Sequence, residues 1–138
     1  MAFSPARQLV QKYAAAFEAG SLEPLRDDLA ATFIHEVYPS SLNIKRKGRE
    51  EYLEWVAAAF SAFRDGKVTI NPIETIESPL KIVLHLSTAQ ARMGTNEYMF
   101  IFTFVEEDGR TKIGHIKEFL DTAFFLGFME ALDSTSQF

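Results

Sequence analysis

The chain has 138 residues, of which 47% are apolar and 13% aromatic, and this composition predicts one folded domain with a sizeable core. A net charge of −5 without a basic stripe argues against nucleic acid as a partner. There is no cysteine, and the three histidines lie far apart, so we expect neither disulfides nor a metal site. The N-terminus lacks the pattern of a secretory signal, and no apolar run approaches the ~20 residues of a membrane span, which predicts a cytoplasmic protein without a membrane partner.

Helix signals dominate the N-terminal half. Ser4-Pro5 is typical of a helix start and Gly20 of its end, and apolar residues recur at helical spacing between them. Ser21 is expected to cap a short second helix that turns Leu29 inward. The remaining predictions for this half are a strand, a loop and a long helix, over Thr32–Tyr38, Ser40–Gly48 and Arg49–Phe63.

The second half changes to the period of strands. Four are predicted, over Val68–Glu77, Leu80–Arg92, Asn96–Glu106 and Thr111–Leu120. The short connections between them, including the hairpin signal Asp108-Gly109, require antiparallel neighbours. A last short helix is expected over Thr122–Leu132. We therefore expect one domain over residues 1–133, followed by a tail over residues 134–138.

Helices followed by a meander of strands predict an α+β fold, with helices on one face of an antiparallel sheet. The strand Asn96–Glu106 is apolar on both faces, because Phe100 and Phe102 point one way and Met99 and Ile101 the other. Helices can cover one face, and a second copy of the chain is the simplest cover for the other. The sequence thus predicts a homodimer that packs through the sheet.

Short motifs along nearly the whole chain carry a family resemblance. They are Val10-Gln11-Lys12-Tyr13 with Phe17 and Gly20, Pro39, Gly48-Arg49-Glu50-Glu51-Tyr52, Lys112-Ile113 and Glu118-Phe119-Leu120-Asp121. With them the chain resembles the SnoaL-like polyketide cyclase and ketosteroid isomerase branches of the nuclear transport factor 2-like superfamily. The closing stretch looks like the small SnoaL-like proteins of fungal meroterpenoid and polyketide pathways. The resemblance implies a cone-like curved antiparallel sheet, with N-terminal helices enclosing a pocket.

The resemblance also implies roles for particular positions. Tyr13 matches the helix tyrosine with which ketosteroid isomerases bind an oxyanion. Their general base and second oxyanion donor have no equivalent here, because Val37-Tyr38 precede Pro39 and Phe100 occupies the donor position. SnoaL-type cyclases use a carboxylate late in the last strand, a role that Glu118 or Asp121 can fill.

The residues themselves single out four catalytic candidates. Alternation places Glu118 on one strand face with Ile116 and Leu120, and places His115 and Ile113 on the opposite face. Apolar neighbours are costly for an ionisable group such as Glu118 unless it has a function or an ion-pair partner.

His35 suits proton transfer near neutral pH, but a lone histidine on an apolar face is more often a core residue. Asp121 can act with Glu118 or only cap the last helix. The hydroxyl of Tyr98 can donate to an oxyanion or lie at a rim.

The substrate-binding candidates are aromatic: Tyr13, Tyr38, Trp55, Phe100 and Phe102. Together with the resemblance, these residues predict a cofactor-independent acid–base isomerase or cyclase for a hydrophobic polyketide or terpenoid intermediate, with a closed, mostly apolar pocket. One alternative is epoxide hydrolysis, for which Arg92 is the available arginine. The other is a binding or dimerisation module in which His35 and Glu118 engage only each other or the backbone. Removal of a catalytic Glu118 is expected to raise stability.

Overall fold

The computed structural model describes residues 3–62, 68–90 and 94–136. It contains four helices and six strands in these ranges. In chain order they are α1 (Pro5–Ala19), α2 (Glu23–Asp28), β1 (Leu29–Tyr38), β2 (Lys47–Gly48), α3 (Arg49–Ala62), β3 (Thr69–Glu77), β4 (Lys81–Gln90), β5 (Gly94–Glu107), β6 (Arg110–Leu120) and α4 (Thr122–Ser136). The predicted α+β class is confirmed.

Local signals explain where the first helix begins and ends. The Ser4 hydroxyl accepts a hydrogen bond from the backbone N–H of Arg7 (3.1 Å), and Gly20 ends α1 in the left-handed conformation. The predicted cap of α2 is wrong: Leu22 holds that position and gives no side-chain hydrogen bond. Because α2 stops at Asp28, Leu29 is the first residue of β1 and not a helical residue, although it is buried as expected.

Other boundaries also differ from the predictions. The stretch Ser40–Gly48 is not all loop, because it contains a 3₁₀ turn (Ser40–Leu42) and the short strand β2. Helix α4 continues to Ser136, past the predicted end at Leu132, and includes the first residues of the predicted tail. The predicted ends of α3 at Phe63 and of β4 at Arg92 lie outside the described residues.

The six strands form one curved, open sheet in the order β2-β1-β6-β5-β4-β3. Strands β3 to β6 are antiparallel neighbours, as their short turns require. The prediction of a wholly antiparallel sheet is wrong, because β1 pairs with β6 in parallel. A parallel pair needs a long connection, and here α3 and the meander lie between the two strands.

Two irregularities set the register of β5 and β6. Asp108 and Gly109 both have positive φ (54° and 74°), as a two-residue hairpin turn between Glu107 and Arg110 demands. A bulge leaves Gly114 without a partner on β5, and therefore Ile113 faces inward with Ile116. The sequence placed Ile113 with His115 on the opposite face, because simple alternation does not include the bulge.

The two faces of the sheet differ in cover. On the inner face, Phe100, Phe102 and Ile116 pack with apolar residues of α1 and α3 to form the core. On the outer face, Met99 and Phe119 are exposed by 43% and 39% in the single chain. No helix within the described ranges is long and apolar enough to cross a membrane.

Candidate active site

A cavity of about 240 Å³ lies between the inner face of the sheet and the helices α1, α3 and α4. Its walls are mostly apolar or aromatic. Residues that contribute to them include Tyr13, Phe17, Trp55, Leu86, Phe100 and Phe125. Among the described residues that line the cavity, Glu118 is the only one with a charged side chain.

Glu118 reaches the cavity because of its register on β6. It lies directly opposite Phe100 of β5, and both point inward with Ile116. The residue is only 6% exposed. The sequence-based prediction that Glu118 lies on the same face as Ile116 and Leu120, opposite to His115, agrees with this geometry, since Leu120 also lines the cavity.

His35 lies behind Glu118 and does not line the cavity. Alternation along β1 points it inward with Phe33 and Val37, and it is fully buried. Its Nε2 is 3.0 Å from Oε1 of Glu118. An ionised carboxylate can only accept, so Nε2 then carries the proton and donates to Glu118. Within the described part of the chain, Nδ1 has no hydrogen-bond partner.

The imidazole is held in place by two aromatic rings of α3. The ring centroid of Tyr52 is 4.5 Å from that of His35, and the centroid of Trp55 is 5.0 Å away. The ammonium group of Lys47 lies 4.8 Å over the Trp55 ring. Burial lowers the pKa of Lys47, while the negative charge of Glu118 acts in the opposite direction. The Glu118 carboxylate is thus backed by an imidazole and has a cation nearby.

Three tyrosine hydroxyls surround the carboxylate. Burial raises the pKa of Tyr13, Tyr52 and Tyr98, and the negative charge of Glu118 raises each further. The Tyr13 and Tyr52 hydroxyls are 2.5 Å apart. All three groups therefore keep their protons at neutral pH and can act as hydrogen-bond donors.

Tyr52 is the site residue that the sequence analysis missed. Its place in the apolar stripe of α3 indicates only a core residue. A fully buried tyrosine needs a partner for its hydroxyl, and this was the one available signal. The partner, Tyr13, is on another helix and cannot be identified from spacing.

Asp121 does not join Glu118 at the cavity. Its side chain is exposed and accepts a hydrogen bond from the backbone N–H of Phe124 (3.2 Å), while its carbonyl accepts from Phe125. This is the geometry of a helix N-cap. The structure therefore separates the two carboxylates that the sequence placed in one candidate pair.

Two of the substrate-binding candidates are also displaced from the cavity. Tyr38 is on the outer face, where it donates to Glu36 (3.1 Å) and stacks on Phe119, because alternation turns it away from His35. Phe102 is fully buried in the core beneath the cavity wall. The other three, Tyr13, Trp55 and Phe100, line the cavity, as does Tyr98. Their contact with a substrate stays a prediction.

Within residues 3–62, 68–90 and 94–136, no three histidine or carboxylate side chains are grouped so as to hold a metal ion. His115 pairs with Glu36 (2.7 Å) and His85 with Glu97 (2.6 Å). His115 lies on the outer face, as the sequence predicted, so the buried His35–Glu118 pair is the one next to the cavity.

The fold is that of the family that the sequence resembles. The family model of the SnoaL-like domain matches residues 10–113, and the chain belongs to this family within the nuclear transport factor 2-like fold. Comparison with curated proteins gives no significant match.

Solved structures with the same fold come from fungi and bacteria. The BvnE pinacolase of Penicillium brevicompactum is 19% identical with a TM-score of 0.72, covering 96% of this chain and 99% of BvnE. AusH of Aspergillus nidulans is 20% identical with a TM-score of 0.67, covering 86% and 84%. IdmH of Streptomyces antibioticus, provisionally assigned as a polyketide cyclase, is 17% identical with a TM-score of 0.67, covering 93% and 99%. These similarities establish the shared fold.

Proposed function

We propose that the protein is a cofactor-independent enzyme that isomerises or cyclises a hydrophobic polyketide or terpenoid intermediate by acid–base chemistry. One observation carries the proposal: Glu118 is the single charged side chain among the described residues of a mostly apolar cavity wall. A carboxylate in such a place is costly to keep without a use. Acid and base groups in enclosed apolar pockets are typical of enzyme sites.

The geometry supports a division of roles. Glu118 faces the cavity and is the group that takes a proton from a carbon next to a carbonyl, and then returns it to another atom of the same skeleton. His35 touches Glu118 but not the cavity, so it is a positioning residue that fixes the carboxylate through the 3.0 Å bond. The hydroxyls of Tyr13 and Tyr98 are placed to donate to the oxygen on which negative charge develops.

The similar structures agree with chemistry of this kind. BvnE is named a pinacolase, and IdmH has been assigned provisionally to the polyketide cyclases. Rearrangement and cyclisation of a carbon skeleton both depend on well-placed proton transfers. For this chain, the activities named for these two proteins favour a substrate with a carbon skeleton that fills the cavity over a small polar metabolite.

Epoxide hydrolysis is a weaker alternative. It needs a network of carboxylates and an arginine around the attacking water. No arginine is among the described residues that line the cavity, and Arg92 is outside the described ranges. Asp121, the second carboxylate that such a network would use, caps α4 instead.

A binding module without catalysis is the second candidate, and one observation favours it. His35 and Glu118 are bonded to each other, as a purely structural pair would be. Such a module would hold an apolar ligand in the same cavity but would transfer no proton. The two proposals therefore differ in proton transfer and not in binding.

The test uses 2-tetralone, a bicyclic ketone whose protons next to the carbonyl exchange with solvent. Exchange in heavy water is followed by NMR for the wild-type protein and for Glu118→Gln. We expect the wild type to accelerate exchange and Glu118→Gln to lose the acceleration by about 10²-fold or more, the range of one general base.

Glu36→Gln is the matched control, because Glu36 also pairs with a histidine but faces away from the cavity. It is expected to exchange at the wild-type rate. Binding of 2-tetralone without any Glu118-dependent exchange would reject the enzyme and support the binding module.

A further inference from the structure

The cavity has a second polar end, separate from Glu118. This end is formed where the last residues of β4 pair with the first residues of β5. The cavity wall there includes Thr88, Gln90 and Asn96. Asn96 lies opposite Thr88 in the sheet. Along the inner face of β5, the aromatic residues Tyr98 and Phe100 follow Asn96, and Phe100 is the position opposite Glu118. Aromatic side chains therefore separate the Asn96 end of the cavity from Glu118.

The side-chain amide of Asn96 interacts with the Tyr98 hydroxyl and lowers the pKa of that group against the larger effect of burial, but among the residues that the structure describes it makes no hydrogen bond of normal geometry through its nitrogen. The residue is 2% exposed, and its Oδ1 accepts from the backbone N–H of Glu97 (2.7 Å), which fixes the orientation of the amide. Among the described residues, Nδ2 has no hydrogen-bond partner of normal geometry. A buried donor left without a partner is destabilising, and ligands often supply the missing acceptor.

The distance between the two ends limits the ligand. Phe100 lies directly opposite Glu118, and the strand from position 96 to position 100 spans about 14 Å at ~3.4 Å per residue. A molecule that contacts both ends must therefore carry its two functional groups on opposite sides of an extended apolar skeleton.

We propose that Asn96 forms a binding subsite for a hydrogen-bond acceptor, such as a carbonyl or ether oxygen, on the part of the substrate remote from the reacting carbon. This inference rests on the proposed function, because it takes the Glu118 end as the reacting end. The substrate class becomes an apolar skeleton with a carbonyl group at the reacting end and a hydrogen-bond acceptor at the opposite end. Asn96 is then a specificity residue and not a catalytic one.

The test compares two ligands that differ at one atom. In 6-methoxy-2-tetralone an ether oxygen lies across the ring system from the ketone, and in 6-ethyl-2-tetralone a methylene group replaces that oxygen. We expect calorimetry to show that the wild type binds the methoxy compound about fivefold more tightly, the effect of one neutral hydrogen bond. Asn96→Leu is expected to remove this preference.

Two further variants control for folding and for general effects. Asn96→Asp keeps the oxygen that accepts from Glu97 but lacks the donor, so it also loses the preference if Nδ2 makes the contact. Asn71→Leu makes the same change on β3 at an exposed position and keeps the preference.

The outcomes separate this inference from the proposed function. Equal affinity of the wild type for the two tetralones, or no binding of either, overturns the subsite. A preference that survives in both Asn96 variants also overturns it. Exchange of unsubstituted 2-tetralone does not involve Asn96, because this ketone has no oxygen at the Asn96 end. A wild-type protein that fails to accelerate this exchange but shows an Asn96-dependent preference would reject the catalytic role and leave the subsite intact.

Discussion

At the scale of single residues, the His35–Glu118 pair determines what the cavity can do and how stable it is. Both groups are shielded from water, and each satisfies part of the other's hydrogen bonding. The sequence predicts that loss of a catalytic Glu118 raises stability, but that argument treats the carboxylate as unpaired. In the structure its removal leaves His35 fully buried without a partner on either ring nitrogen.

We therefore expect Glu118→Leu to lower the free energy of unfolding by about 1–3 kcal/mol, the cost of an unsatisfied buried polar group. The double variant His35→Leu/Glu118→Leu is expected to recover most of this loss, since apolar residues can replace a buried polar pair at little cost. Urea denaturation of the wild type, both single variants and the double variant gives the four values.

The coupling between the two positions decides the outcome. If the double variant is as unstable as the sum of the two single variants, the residues do not act as a pair, and the pair is not the reason for the loss. Recovery of stability together with loss of tetralone exchange would show that the pair is kept for function rather than for folding.

At the scale of elements, Asp121 and the start of α4 give a clear choice between two roles. The carboxylate accepts from the backbone N–H of Phe124, and the side chain is exposed. We expect Asp121→Ala to lower the free energy of unfolding by about 1 kcal/mol, and Asp121→Asn, which can still cap, to change it little. Tetralone exchange by Asp121→Asn should match the wild type. Loss of exchange in that variant would make Asp121 a catalytic carboxylate after all.

Glu107 connects the β5–β6 hairpin to β1. The backbone N–H of Ala31 donates to its Oε2 (2.8 Å), and Lys112 pairs with its Oε1 (3.2 Å). The first of these contacts, and then the second, lowers the pKa of Glu107 in the folded state. The unfolded chain thus binds this proton at higher pH than the folded chain does. The resulting stability is complete above the unfolded pKa of ~4.3 and is lost as pH falls through the lower folded pKa.

We accordingly expect Glu107→Gln to be less stable than the wild type at neutral pH, with a difference that shrinks as the pH falls below ~4. Unfolding free energies measured across this pH range provide the check. Glu74→Gln removes one exposed carboxylate from β3 and corrects for the general change of charge. A difference between Glu107→Gln and the wild type that stays constant with pH would contradict the assignment.

The elements also show how far the sequence predicts the site. Alternation along β1 groups His35 with apolar neighbours, and alternation along β6 does the same for Glu118. Because β6 has apolar residues on both faces, alternation could not show which face lines the pocket. The bulge at Gly114 could not be predicted either, and it reverses the face of Ile113. Nor could the parallel pairing of β1 with β6, which brings His35 beside Glu118, because it joins residues far apart in the chain.

At the scale of the whole molecule, the outer face of the sheet is the largest feature that the single chain leaves unexplained. Met99 and Phe119 are neighbours across β5 and β6, and Val105 extends the apolar surface along β5. His115 and Glu36 form an ion pair on the same face. Apolar groups with a few matched charges are typical of surfaces between two copies of one chain.

The predicted homodimer can be tested directly on this face. We expect the wild-type protein to sediment as a dimer, and Met99→Glu combined with Phe119→Lys to sediment as a monomer, because charges replace the apolar contact. Leu126→Lys changes a more exposed apolar residue on α4 and should leave the dimer intact. Tetralone exchange by the monomer should equal that of the wild type, since Glu118, Tyr13 and Tyr98 line the cavity within the single chain. A wild-type protein that sediments as a monomer would contradict the predicted homodimer, and a double variant that remains a dimer would show that the interface lies elsewhere than on this face.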